Sequence, residues 1–126
     1  MKRALVEVYA LAVCFVTVVC FVVALGIGIY DLIQILNPQF TIDSYTYDRH
    51  QSNEAFLINW PKDKPCPQGE ELTRMREESY QAALRSEKRD AVQSLTMVFI
   101  IILIDVVVFV MHWYLAKRAR ATADAS

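Results

Sequence analysis

Between Val8 and Tyr30 this 126-residue chain has no charged residue, and from Glu70 onward it has neither glycine nor proline. The first absence excludes a helix with a solvated face. The second removes the residues that most often end a helix. Bases do not outnumber acids, 13 against 14, so the basic surface that a nucleic-acid partner needs is missing. No nucleophile motif, phosphate-cradling glycine loop or haem signature occurs, so neither enzymatic activity nor a cofactor is expected. There is also no low-complexity tract or internal repeat.

What the chain does have is two long apolar runs. Val8 to Tyr30 is the first, and Ala91 to Ala116 is the second. Each is long enough to cross a hydrocarbon core about 30 Å thick. Two such runs in a chain this short leave too little polar surface to cover both in water, so membrane insertion is expected. Met1-Lys2-Arg3 before an apolar run imitates a secretory signal, but a signal's apolar region is about 7 to 15 residues and this one continues further. Leu11-Ala12-Val13-Cys14 imitates a lipoprotein cleavage box, with Val13 too bulky for the site. An uncleaved anchor is expected.

Bases flank both runs: Lys2 and Arg3 before the first, and Lys117, Arg118 and Arg120 after the second. The positive-inside rule then puts both termini in the cytoplasm, in what is expected to be the plasma membrane. Arg85, Lys88 and Arg89 oppose this assignment. Tyr9, Trp113 and Tyr114 would form an aromatic belt at the cytoplasmic interface, with Tyr30 at the other.

The segment between the runs divides in two. Residues 37–69 hold all four prolines, which predicts mostly irregular chain with a short strand near Phe40 to Tyr47. Phe56, Leu57, Ile58 and Trp60 make an apolar patch that must pack on something, because some thirty residues cannot build a core alone. Gly69 marks the start of a helix whose first turn is acidic, as the helix dipole prefers. Glu70, Arg74 and Glu78 follow at i,i+4 spacing. With no breaker beyond, one helix of about 50 residues is expected, a charged stalk running directly into the second span. Leu72, Met75, Tyr80, Ala83 and Leu84 give the stalk only a patchy apolar stripe.

Helical geometry sorts the spans into faces. Ala10, Cys14, Thr17, Ala24, Gly28 and Asp31 fall within one sector of the first span of about 120°. Small residues aligned in this way let backbones approach, so this line predicts a packing seam. In the second span, Ser94 and His112 lie within about 20° of Asp105, forming a polar line. Asp105 sits near the middle of its run, roughly 18 to 22 Å from the charged residues at either end. A carboxylate there costs at least about 2.5 kcal/mol to insert, so something must offset it.

Four roles fit that carboxylate. It could lock an assembly by hydrogen-bonding Thr17 or a partner helix. It could pair with a base on another polypeptide. It could line a cation path with His112 and Ser94, or relay protons to His112 through water. Cys14 and Cys20 are expected to be packing residues and Cys66 a free thiol. His50 lies near Asp43 and Asp48 in too loose a grouping for a metal site, so no metal is expected.

The fold class expected is an all-α membrane protein, a two-span transmembrane helical hairpin. Its parts are a first transmembrane helix over residues 1–36, a small irregular loop domain over 37–69 and a helical stalk over 70–90. The second transmembrane helix (91–116) and a basic cytoplasmic tail (117–126) complete the chain. Its partners are expected to be the lipid bilayer and either further copies of itself or other membrane subunits. The function expected is that of an assembly or accessory subunit of a homo-oligomer or larger membrane complex. The alternative is a homo-oligomeric cation channel with Asp105 facing the conduction path.

Overall fold

A computed structural model describes residues 2–125. It is all-helical, with no strand among the described residues. Five helices follow in order: α1 (Lys2–Leu36), α2 (Pro38–Thr41), α3 (Ser44–Arg49), α4 (Asn53–Leu57) and α5 (Gly69–Asp124). Both α1 and α5 contain a stretch long and apolar enough to cross a membrane. Only 22% of that stretch in α1 and 6% in α5 is buried, unlike the core helix of a soluble protein. The single long helix expected from the lack of breakers is α5, which runs unbroken for 56 residues. Gly69 opens it at φ +64, a left-handed conformation that favours glycine.

The expected strand near Phe40 to Tyr47 is absent, and three short helices occupy much of the segment read as irregular. Local capping explains the difference. Pro38 occupies the first turn of α2, where its missing N–H costs nothing. Asp43 caps α3 by accepting from the Thr46 N–H at 2.9 Å, and Ser52 caps α4 by accepting from the Ala55 N–H at 3.1 Å. These caps override a loose apolar alternation.

The chain forms two compact units. One contains α1 up to Tyr30 and α5 from Ser94 onward. Within it the two helices run in opposite directions: Glu7 pairs with Arg120 at 2.8 Å, whereas a Cβ on Gly28 would lie 3.4 Å from Val98. The buried positions of α1 in this unit are Ala10, Cys14, Thr17, Ala24 and Gly28, and with half-buried Phe21 between Thr17 and Ala24 the spacing alternates between four and three residues. That average of 3.5 is the period of knobs-into-holes packing. Val98 and Ala116 are buried opposite, while Phe15, Val16, Val23, Phe99, Leu103 and Val107 are exposed. The small residues thus meet inside and the large apolar ones face outward, an arrangement suited to an apolar solvent.

The other unit comprises Asp31 to Gln93. Its centre is His50, 8% exposed. The ring nitrogen Nδ1 lies 2.6 Å from the Thr46 carbonyl oxygen, so it carries the proton and donates. In the neutral ring Nε2 then accepts from the Ser79 hydroxyl on α5, at 2.9 Å. Phe56 and Tyr80 pack on the ring with centroids 5.7 and 5.5 Å away. Asn53 adds a hydrogen bond to Thr73 of α5 at 3.1 Å. Leu72 and Leu84 of the stalk are buried, and Met75, Tyr80 and Ala83 are half-buried. From that stripe Tyr80 meets His50, and Met75 lines one depression with Trp60. Of the apolar patch, Phe56 is buried, Leu57 and Trp60 are half-buried and Ile58 is exposed.

Candidate functional site

Asp105 stands on α5 where that helix passes α1. Thr17, Val18 and Phe21 from α1 and Asp105, Val106 and Phe109 from α5 surround a groove of about 230 Å³. The side chain is half-buried, and its Oδ2 is removed from solvent without a hydrogen-bond partner among the described residues. Thr17 does not supply one: its hydroxyl donates to the Cys14 carbonyl, 2.8 Å away. That removes Thr17 from the roles expected of it as a lock on Asp105. Cys14 points across the helix pair instead, its Sγ 3.8 Å from the Phe109 carbonyl oxygen. That oxygen lacks both water and a donor, and a buried polar atom left so costs about 1–3 kcal/mol.

The other two members of the polar line lie apart from it. His112 is half-buried, donates from Nδ1 to the Val108 carbonyl at 2.8 Å and packs beside Tyr9 with ring centroids 5.9 Å apart. Eleven helical positions separate Ser94 from Asp105 and seven separate Asp105 from His112, about 16 and 10 Å along the axis. Ser94 is half-buried. The structure therefore brings the three onto one side of α5 without bringing them into contact. That side is the one bearing buried Val98 and Ala116.

Of the small-residue line, Ala10, Cys14, Thr17, Ala24 and Gly28 are buried in the first unit, as described. Asp31 belongs to the second unit, 3% exposed, with Oδ2 lacking a hydrogen-bond partner among the described residues. Its isolation is invisible in sequence, since one residue type serves equally at a solvated helix end. The same holds for His50, whose proximity to Asp43 and Asp48 along the chain suggested little. In three dimensions Asp43 is committed to capping α3, and His50 clamps α3 to α5.

Among family models, characterised proteins and solved structures, none matches this chain.

Proposed function

We propose that this chain is a two-pass membrane protein, an antiparallel transmembrane hairpin with both termini cytoplasmic, that serves as an assembly or accessory subunit without catalytic activity of its own. The observation that carries this reading is the unpartnered Oδ2 of Asp105 in an otherwise apolar groove. Within a bilayer no water replaces the missing donor, so a polar group from another helix is the means of offsetting the cost. Such a contact adds about 0.5–2 kcal/mol to helix association, and apolar packing along the groove adds to it. The donor comes from a further copy of the chain or from another membrane subunit.

Cation conduction is less well supported. Ser94 and His112 are half-buried on the side of α5 that carries the buried residues, rather than on an exposed face that could line a shared pore. Purification from native membranes followed by native mass spectrometry tests the subunit reading. A stable complex with copies of the chain or with other membrane proteins is expected, and a monomer alone would overturn it. Reconstitution of the chain by itself into liposomes should give no cation flux; flux would favour the channel.

A further inference from the structure

The unit formed by Asp31 to Gln93 contains a second cavity of different character, a cleft of about 330 Å³ with polar walls. Tyr47 of α3, His50 and Gln51 just beyond it, and Arg76 and Tyr80 of α5 line it, with Gln39 of α2 at one side. Arg76 is the only Lys or Arg among the lining residues. It is half-buried, its Nε is removed from solvent without a hydrogen-bond partner, and no salt bridge engages it among the described residues. Other acids do not relieve it. Glu77 borders the cleft but is exposed, and Glu78 lies 3.8 Å from Arg74 instead. A guanidinium partly withdrawn from water with no acceptor carries a desolvation cost that an anion at its open end would offset.

Two tyrosine side chains, Tyr47 and Tyr80, line the cleft with Arg76. Burial, and Tyr47 close by, push the Tyr80 hydroxyl above its ordinary value, so it keeps its proton and can donate. Gln51 Nε2 already donates to the Tyr47 carbonyl at 3.1 Å, which holds that wall in place. Both ring nitrogens of His50 are engaged, with Thr46 and Ser79, so His50 shapes the cleft rather than reaching a ligand. A planar fork of N–H groups flanked by hydroxyl donors matches the oxygens of carboxylate and phosphate groups. We propose that this cleft binds an oxyanion, a carboxylate or phosphate group held by the Arg76 guanidinium with the Tyr47 and Tyr80 hydroxyls as further donors. The site is independent of the groove at Asp105 and of the subunit role.

Isothermal titration of the full chain in a phosphate-free maltoside detergent tests this, using inorganic phosphate and succinate as probes at constant ionic strength. A second arm uses nanodiscs with and without phosphatidic acid. Saturable binding of phosphate or succinate in detergent identifies a soluble ligand source, and binding confined to phosphatidic acid identifies a lipid headgroup. Arg76→Gln should weaken whichever binding occurs about tenfold or more, the scale of a charge-assisted hydrogen bond. Tyr80→Phe removes only a hydroxyl and should weaken it by about two- to tenfold with helicity unchanged, which guards against a misfolded Arg76 variant. Arg85→Gln, an exposed charge on the same helix, should leave it intact. Absence of binding to all three probes, equal affinity in Arg76→Gln, or equal loss in Arg85→Gln would overturn the proposal.

Discussion

Two carboxylates with opposite fates organise the chemistry at the residue scale. Asp105 has an oxygen without a donor, so within one chain it weakens rather than strengthens the helix pair. Asp105→Leu should therefore leave the pairing of α1 with α5 intact or firmer, while loosening association between subunits by about 0.5–2 kcal/mol. Asp105→Asn keeps hydrogen-bonding capacity and should preserve the complex. Native mass spectrometry across a detergent series reads the association, and an unchanged subunit number in Asp105→Leu would remove the carboxylate from the interface. Asp43 has the opposite setting. The Thr46 side chain and backbone N–H hold its carboxyl below the ordinary carboxylate value. A lowered value in the folded state means that the cap's contribution is complete above the unfolded value and is lost as pH falls through the folded one. The Thr46 amide resonance should thus move in an acid titration with a midpoint below that of a free aspartate. In Asp43→Asn, which still caps but does not titrate, that movement should vanish.

At the scale of elements, α1 and α5 are held by close approach more than by bonds. Gly28 shows this most directly: a Cβ there would touch Val98 at 3.4 Å and Leu95 at 3.8 Å, whereas one on Gly26 would meet nothing within 4 Å. Gly28→Ala is accordingly tolerated at ordinary van der Waals distance. Gly28→Leu must push the helices apart, with a cost on the overpacking scale of about 1–3 kcal/mol. Gly26→Leu, on an open face, should cost nothing and can gain helix propensity. Spin-label distances between the helices in nanodiscs would show the difference. Equal distances in both leucine variants would contradict the packing described. The Glu7–Arg120 pair at the other end is largely exposed on its arginine side and contributes little by comparison.

For the whole molecule, the distribution of bases sets the orientation expected in a bilayer, with Lys2, Arg3, Lys117, Arg118 and Arg120 on the cytoplasmic side. Cys66 is a free, exposed thiol in the segment before α5 and serves as its own reporter. A membrane-impermeant maleimide applied to intact cells should label Cys66 and should not label Ala123→Cys in a Cys66→Ser background; the reverse pattern would invert the topology. The two long helices were legible in the chain itself, because an uncharged run and a stretch without breakers constrain a helix through local physics alone. The line from Ala10 to Gly28 was legible too, since helical periodicity fixes which residues share a face. What lay across from that line was not, because a face carries no address for its partner. Only the tertiary structure decided that the line meets α5 of the same chain, that Thr17 spends its proton on Cys14, and that Asp105 is left without a donor. The short helices were hidden for a related reason, since their caps outweigh a weak alternation over a few residues. His50 and Arg76, 26 positions apart, line one cleft only because α3 packs on α5.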